Sequence, residues 1–439
     1  MNTLPKECLL EIFDNFRNQY RCLFYCLLVN RLWCKIIIPI LWRNPTDNFI
    51  DRRVLKLCLS TLNEKEQARL IPFRLNLPKF PKQLFEYTSY ATTVKDFRLS
   101  FPIKNWLKDE GFNSKSRDSI FDDDDDYLPI MVVKFSLIEM FLRTRGKLKL
   151  LMFDGIIFDK TIFNNFYGNA NITTITSLEF WPQNSNSEAI EMLVEIIRKN
   201  FLISLNLSNN EDFSSKEWNA IAEAFHQNTT ITSLDLSSNQ LDFIRAKLLA
   251  EVLYKNTTLT KLDIGENKFE SRGSKVLAKA LHRNNILTSL RLSCNDIDFE
   301  GGKALAEALC VNTTLIELEL QYNELGIEVL AEALCKNISL STLNLSWNGI
   351  DSRGVKALEK VLYTNSTLTY LNLSENHIGF EDSKVLIEAL SKNVTLMTLH
   401  IGRYNISYED RNNLRKIFRI NSISTFVDLI SDHQFNPSD

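Results

Sequence analysis

The chain has 439 residues, 44% of them hydrophobic, so it is long enough for a substantial core and for more than one structural unit. Its net charge of −3 excludes a general nucleic-acid-binding surface. The most apolar run, residues 36–42, contains a proline and is far too short to cross a membrane. Charged residues interrupt the apolar positions near Lys6, so no secretory signal is expected. We therefore expect a soluble protein of the cytoplasm or nucleus, with no membrane or nucleic-acid partner.

Residues 1–45 are predicted to form three short, strongly apolar helices. In the first helix, four apolar side chains share one face: Leu9, Ile12, Phe13 and Phe16. Pro5 stands where a first helical turn tolerates proline. A second helix is predicted over about 20–30, and a third from Arg31 until Pro39 stops it. So small a module either packs on its neighbour or presents an apolar face to a partner.

This segment resembles the F-box, a three-helix module that docks on a Skp-type adaptor, which in turn binds a cullin scaffold. The matching residues are Leu4, Pro5, Glu7, Leu9, Ile12, Phe13, Leu28, Val29, Asn30, Trp33, Pro39, Ile40, Leu41 and Trp42. The resemblance implies that a subset binds the adaptor: Leu4, Pro5, Leu9, Ile12, Phe13, Leu28, Val29 and Trp33. The sequence departs from many F-boxes at residues 17–20, which lack the usual proline and acidic residue. The alternative interpretation is an N-terminal cap of the repeats that follow.

Residues 46–147 are predicted to form a helical linker with degenerate repeats. Apolar spacing predicts a helix over 54–62, and three prolines favour an extended chain over 70–81. Residues 111–127 end in five aspartates and are predicted to form an acidic loop, without the ligand pattern of an EF-hand. A helix over 127–145 then leads into the repeats.

Five of the eight cysteines lie in the first 58 residues. Cys22 and Cys26 share a helical face, but no C-x-x-C pair and no nearby histidine completes a tetrahedral zinc site. We expect these thiols to act as small apolar core residues, and we expect the protein to carry neither a metal nor another cofactor.

The phrase L-x-x-L-x-L-x-x-N occurs seven times between residues 202 and 376. Its closing asparagines lie 28 or 29 residues apart, except for one step of 25 from Asn323 to Asn348. Leu205 and Leu207 alternate with Asn206, which is typical of a strand, and each phrase is followed by helical periodicity. Weaker copies occur at 94–101, 148–156, 175–183 and 396–404. Self-similarity at this period predicts a solenoid with one strand and one helix in each repeat.

The phrase resembles the leucine-rich repeat of the ribonuclease-inhibitor-like class. The resemblance implies an α/β fold, a horseshoe with parallel strands inside and helices outside, behind an N-terminal all-α module. The predicted parts are an F-box-like module (1–45), a linker (46–147), the solenoid (148–405) and a C-terminal cap and tail (406–439).

Two sets of asparagines are expected to have structural roles. Those that close each phrase should be buried, with their amides bonded to the backbone of the turn. The others follow a cation at the end of a helix, as in Lys255-Asn256, Arg283-Asn284, Lys336-Asn337 and Lys392-Asn393. These are predicted to adopt a left-handed cap.

No catalytic motif is present in the sequence, so we expect a non-enzymatic recognition protein. The third, fifth, seventh and eighth positions of the phrase should project from the concave face. There, Tyr322, Trp347 and Tyr370 are predicted to form an aromatic hot spot, at the point where three residues are missing from the turn after Leu325. The alternative is that Trp347 only packs on its neighbours. The predicted client-binding residues are Arg291, Glu317, Glu319, Tyr322, Trp347, Tyr370 and Arg403.

The combination of an F-box-like start with leucine-rich repeats resembles the F-box/leucine-rich-repeat proteins. This resemblance implies the substrate receptor of an SCF-type (Skp-cullin-F-box) ubiquitin ligase, whose repeats hold a client protein. A scaffold or inhibitor that wraps a protein partner is the alternative. An innate-immunity-type sensor is disfavoured because no nucleotide-binding module fits in the first 150 residues.

Overall fold

The structure is a computed structural model that describes residues 4–75, 77–78, 84–112, 124–143, 148–154, 174–181, 187–211 and 213–401. The chain divides into two compact units. The first comprises the residues up to Leu193 together with Phe201–Asn206. The second comprises Val194–Asn200 and the residues from Leu207 onward.

The first unit begins with three helices, α1 (Lys6–Asn15), α2 (Tyr20–Leu27) and α3 (Arg31–Leu41). They enclose a core of their own, formed by Leu9, Phe13, Leu23, Ile36, Ile37 and Ile40. The Trp33 ring packs edge-on against Phe13, with ring centroids 4.9 Å apart. The prediction that Pro39 ends the third helix is wrong. Pro39 lies in the last turn, and the Ile38 carbonyl still accepts a hydrogen bond from the Trp42 amide (3.0 Å).

The three-helix module is bonded to the segment that follows it in the first unit. The Arg43 carbonyl accepts from the Thr92 amide (2.9 Å) and the Thr93 amide (3.1 Å). The Trp42 and Tyr87 rings lie 5.0 Å apart between centroids. These contacts attach the module to the start of strand β1 (Thr93–Lys95).

The described part of the first unit also contains the helices α4 (Arg52–Leu59), α5 (Glu64–Ala68), α6 (Ser100–Asp109) and α7 (Asp124–Arg143). The helix predicted from residue 54 is confirmed. The extended chain predicted over 70–81 is wrong at Ile71–Phe73, which form a 3-10 turn. Helix α7 begins at Asp124, three residues before the predicted start. The rest of the predicted acidic loop, residues 113–123, lies outside the described residues.

The sheet of the first unit is parallel and follows chain order from β1 through β2 (Leu150–Asp154) and β3 (Ser177–Trp181) to β4 (Ser204–Asn206). Val94, Leu151, Leu178 and Leu205 stand in register, and all are buried. The weak copies predicted at 94–101, 148–156 and 175–183 therefore each contain a strand. Helix α8 (Ser187–Arg198) follows β3.

The second unit contains parallel strands in chain order: β5 (Ser233–Asp235), β6 (Lys261–Asp263), β7 (Ser289–Arg291), β8 (Glu317–Glu319), β9 (Thr342–Asn344), β10 (Tyr370–Asn372) and β11 (Thr398–His400). Its helices are α9 (Ser215–Gln227), α10 (Phe243–Lys255), α11 (Glu270–Leu281), α12 (Phe299–Leu309), α13 (Ile327–Leu334), α14 (Ser352–Thr364) and α15 (Phe380–Lys392). The central leucine of each strand is buried against the helices. The predicted leucine-rich-repeat solenoid is confirmed, whereas the predicted cap and tail, 406–439, lie outside the described residues.

The asparagines that close the phrases are buried, between 0% and 6% exposed, as predicted. The Asn323 amide group donates to the Leu292 carbonyl of the preceding repeat (3.0 Å) and to the Leu320 carbonyl of its own repeat (3.0 Å). Its oxygen accepts from the backbone amides of Asn295 (3.2 Å) and Ile297 (3.0 Å). One side chain therefore satisfies buried backbone groups of two neighbouring repeats.

The asparagines at the helix ends have a different role from the one predicted. Asn256 has φ −73° and ψ 134°, which is extended backbone, so the left-handed cap is wrong. The Asn284 amide group donates to the Leu253 carbonyl of the preceding helix (2.7 Å). Its oxygen accepts from the amides of Ile286 (3.0 Å) and Leu287 (2.8 Å). The extended backbone leads into the next strand, while the side chain caps the helix of the repeat before.

The three residues missing from the short repeat are lost from its helix, not from the turn as predicted. The N-cap lies three residues after the asparagine in neighbouring repeats, at Asp298, Gly326 and Asp351. Helix α13 has 8 residues, whereas α12 has 11 and α14 has 13. The turn keeps its length because its backbone is hydrogen-bonded to the closing asparagines of neighbouring repeats, which we call the asparagine ladder.

Replacing Asn295 or Asn323 with alanine should destabilise the second unit to different degrees. The Asn295 side chain donates to the carbonyls of Ile264 and Ser293, so its loss should cost about 1–3 kcal/mol. Asn323→Ala should cost more, because it also leaves the amides of Asn295 and Ile297 unpaired. Urea unfolding would measure both free energies, with the exposed Asn15→Ala as control. Equal effects of Asn323→Ala and the control would contradict the ladder's role.

Candidate functional site

The strand face is the side of the second unit's sheet that points away from the helices. It carries the first and third residues of strands β5–β11, which flank the buried leucines. In register, Glu317 is followed by Thr342 and Tyr370, and Glu319 by Asn344 and Asn372. Four predicted client-binding residues lie on this face: Arg291, Glu317, Glu319 and Tyr370.

Arg291 is already engaged within the strand face. Its Nε donates to the Ser293 hydroxyl (2.9 Å) and lies 3.5 Å from Glu319 Oε2, and its Nη1 lies 3.4 Å from Asp263 Oδ2. Burial raises the pKa of the Asp263 carboxyl, against the opposing influence of the Gly265 amide and Arg291. Glu317 accepts from the Ser289 hydroxyl (2.9 Å). The guanidinium thus partly neutralises the carboxylates of Asp263 and Glu319.

The eighth residue of each phrase has a left-handed backbone. Its φ lies between 51° and 59° at Asn209, Ser238, Glu266, Cys294, Tyr322, Trp347 and Glu375. At six of these positions, from Asn209 to Trp347, the amide donates to a carbonyl of the next repeat, as from Tyr322 to Ser346 (3.1 Å) and from Trp347 to Ser374 (3.2 Å). The sequence does not reveal this conformation, because only Asn209 is of a type that favours it.

Tyr322 and Trp347 form a parallel aromatic stack at the end of the strand face. The ring centroids are 4.8 Å apart and the ring planes differ by 9°. The two residues are 39% and 46% exposed. A depression beside them is lined by Asp296, Glu324, Glu375 and His377. The stack and these four residues are called the aromatic platform below.

Electrostatics at the aromatic platform favour a cationic ligand. The pKa of the Tyr322 hydroxyl is raised, mainly by burial and further by Cys294 and Glu375. The phenol therefore stays neutral, while the acidic side chains of the depression supply negative charge. The platform offers a flat aromatic surface and carboxylates to the same ligand.

The predicted third aromatic residue does not join the stack. Tyr370 packs against His400, with ring centroids 5.2 Å apart, one strand beyond Trp347's repeat. Burial, and secondarily Glu319, raise the pKa of its hydroxyl. Arg403, the remaining predicted client-binding residue, lies outside the described residues. The structure thus brings together Tyr322 and Trp347 and places Tyr370 apart from them.

The predicted adaptor-binding residues separate into two groups. Leu9 and Phe13 lie in the core of the three-helix module, and Trp33 is partly buried against that core. The side chains of Leu9 and Phe13 are thus covered within the module, whereas Trp33 keeps part of its surface exposed, and adaptor binding by these residues stays a prediction. The others are exposed: Leu4, Pro5, Ile12, Leu28 and Val29.

Sequence reasoning missed part of the exposed apolar surface of the module. Phe24 is 55% exposed and Tyr25 is 70% exposed, and Phe16, Tyr20 and Leu32 are also exposed. The signal was available in α2, where apolar residues occupy more than the one face that can be buried.

The cysteines only partly match the prediction that they act as core residues. Cys58 is buried, and burial raises the pKa of its thiol, whereas Cys8 and Cys22 are exposed. Among the described residues, no group of three His, Cys, Asp or Glu side chains is placed to bind a metal ion. None of the described helices combines the length and apolar character needed to span a membrane.

Comparison with known proteins supports the assignment of the repeats. A family model described as Leucine Rich repeat matches residues 227–242, 255–278, 283–306, 336–358 and 364–381. No curated protein matches the chain.

Several solved structures are similar to the chain. The leucine-rich repeat-containing protein LegL7 from Legionella pneumophila shares 20% identity, over 64% of this chain and 94% of that one, with a TM-score of 0.43. An internalin (inlF) from Listeria monocytogenes shares 17% identity, over 85% and 96%, with a TM-score of 0.42. The Rad7 and Elc1 complex in yeast shares 16% identity, over 63% and 75%, with a TM-score of 0.40.

Because the backbone at the eighth position is left-handed, glycine should give a more stable protein than alanine there, which is the reverse of their order in a helix. Ser238→Gly should be about 1 kcal/mol more stable than Ser238→Ala, because glycine adopts positive φ without a steric penalty. At Lys356, on the exposed side of α14, the order should be reversed by a similar amount. Urea unfolding of the four variants gives both differences. An alanine at least as stable as glycine at position 238 would contradict the assigned backbone.

Proposed function

We propose that this chain is the substrate receptor of an SCF-type ubiquitin ligase. The three-helix module docks on a Skp-type adaptor, and the strand face holds a client protein for ubiquitin transfer by other subunits. The chain itself positions the client and carries out no covalent chemistry. The F-box-like sequence pattern and the leucine-rich repeats support this proposal together.

The observation that carries the proposal is an apolar surface left over after the module has completed its own core. Leu28 is 66% exposed and Val29 is 58% exposed, where α2 meets α3. Ile12 on α1 is 42% exposed, although its neighbours Leu9 and Phe13 are buried. An apolar surface of this kind on a soluble module is typical of a docking site. A module that served only as a cap would be expected to cover these residues.

The attachment of the module suits a receptor. The bonds from the Thr92 and Thr93 amides to the Arg43 carbonyl join it to the edge of the first unit's sheet. The ion pair between Arg43 and Asp14 (2.9 Å) connects the same position to α1. An adaptor bound to the module would therefore be held firmly relative to β1. A receptor needs this, because the client must be presented at a defined position.

A repeat scaffold or inhibitor is the second candidate. It would use the same strand face, and the exposed Tyr322–Trp347 stack favours protein binding in either case. The two candidates differ only in whether the module binds an adaptor. Adaptor binding is therefore the decisive measurement.

A pull-down with a purified Skp-type adaptor tests the proposal on the full-length protein. The variant Leu28→Asp, Val29→Asp should reduce binding at least tenfold, because it places charges in the exposed apolar surface. Ile338→Asp is the matched control, since Ile338 is 72% exposed but lies on the second unit. Leu9→Asp and Phe13→Asp are unsuitable, because they would place charges in the module's core.

The outcomes separate the two candidates. Failure of the intact protein to bind the adaptor would leave the scaffold as the better account. Binding that survives in the Leu28→Asp, Val29→Asp variant would reject this surface as the docking site.

A further inference from the structure

We propose that the aromatic platform recognises a basic segment of the client, with an arginine side chain stacked on the Tyr322–Trp347 pair. The carboxylates of the platform would bind the same guanidinium or its neighbours. This inference rests on one part of the proposed function, namely that the repeats bind the client, and it does not depend on adaptor binding by the module.

The first argument is the position of the two aromatic residues. The backbone at the eighth position of the phrase is left-handed in each of the seven repeats, and most side chains there are small or polar. The repeat imposes this backbone on residues of every kind, so Tyr322 and Trp347 differ from the others in the size of their side chains. Tyr322 and Trp347 place two large rings at this position in consecutive repeats. Neither ring is needed to fill the core, since both are more than one-third exposed.

The second argument is the geometry of the stack. With centroids 4.8 Å apart and planes within 9° of parallel, each ring covers one face of the other, and the outer face of the stack remains as a flat surface for a further planar group. A planar, weakly hydrated guanidinium stacks on such a surface and keeps its N–H donors free at the edge. An ammonium group is compact and strongly hydrated, so it gains less from a flat surface.

The third argument is the charge around the stack. Asp296, Glu324 and Glu375 line the depression, with His377 as the neighbouring histidine. Glu317 and Glu319 add negative charge on the neighbouring strand face. The cation beside them, Arg291, is paired with Glu319 and Asp263. An acidic segment or a nucleic acid would be repelled here. A purely apolar segment would have to remove carboxylates such as Glu324 from water, at a cost in solvation.

Arginine satisfies the aromatic and the acidic requirements at once. Its guanidinium provides a face for the outer face of the Tyr322–Trp347 stack and a fork of donors for carboxylates. The partner predicted from this chemistry is a basic segment that contains arginine in an accessible, extended or disordered region of the client.

Fluorescence anisotropy with labelled peptides tests this on the full-length protein. The probes are three peptides of alternating glycine and arginine, glycine and lysine, or glycine and glutamate. We expect the arginine peptide to bind tightest and the glutamate peptide not to bind. Affinity for the arginine peptide should fall as salt is raised, because the interaction includes exposed charges.

The variants separate stacking from charge. Trp347→Gly removes the ring at a residue with φ 55°, where glycine is unstrained, and should weaken arginine-peptide binding at least tenfold. Trp347→Phe should restore most of the affinity. Glu324→Gln with Glu375→Gln should weaken binding and flatten its salt dependence. The matched control is Glu307→Gln with Glu332→Gln, two exposed carboxylates on α12 and α13, which should bind as the wild type does.

Two results would overturn the proposal. One is equal affinity of Trp347→Gly and the wild type for the arginine peptide. The other is equal binding of the arginine and lysine peptides, because charge alone would then account for it. The adaptor pull-down distinguishes this failure from failure of the proposed function. Trp347→Gly should capture the adaptor normally, and a wild type that binds the arginine peptide but no adaptor would reject only the ligase assignment.

Discussion

The second unit depends on the pairing of buried backbone groups by asparagine side chains of adjacent repeats. A turn that follows each strand carries amides and carbonyls that water cannot reach, and each would be costly if unpaired. Asn348 donates to the Leu320 carbonyl of the preceding repeat (2.9 Å), and Asn365 donates to the Leu334 carbonyl of the preceding helix (2.8 Å). No repeat is therefore satisfied alone, so stability is shared between neighbours. The shortened repeat obeys the same constraint. Its missing residues come from α13, so the spacing from Asn323 to the N-cap residue Gly326 is the same as in the neighbouring repeats.

Because of the asparagine ladder, the backbone conformation at the eighth position does not depend on which residue stands there. From Asn209 to Trp347, the residue before the asparagine is held by a hydrogen bond from its amide to the next repeat and by the bonds of the asparagine itself. Residues as different as Ser238, Glu266 and Trp347 consequently share φ values within one degree. A position whose backbone is determined by its neighbours can accept side chains of many kinds. The side chain at the eighth position can therefore be used for binding without a change in the backbone. Tyr322 and Trp347 are the largest side chains at this position among the repeats.

Much of the fold was predictable because leucine periodicity reports burial directly. The alternation around Leu205 and Leu207 indicated a strand, and the same pattern located even the weak copy at β2. Other features depend on three-dimensional contacts that the sequence does not contain. A cation followed by Asn256 is compatible with a left-handed cap and with the extended cap that the structure shows. The apolar face of α1 did not reveal that Leu9 and Phe13 are covered by the module itself.

The exposed apolar surface of the module and the aromatic platform share one physical property. In both, the backbone is fixed by interactions that do not involve the exposed side chains. The module has its own core, and the aromatic platform rests on the hydrogen bonds that link the repeats. Little conformational entropy remains to be lost when a partner binds to such a surface. The proposed receptor would act by orienting its client, and preorganised surfaces suit that role. The same property explains why Tyr370 is a weaker candidate for client binding than Trp347. Its ring is already packed against His400, so a client would gain less additional surface from it.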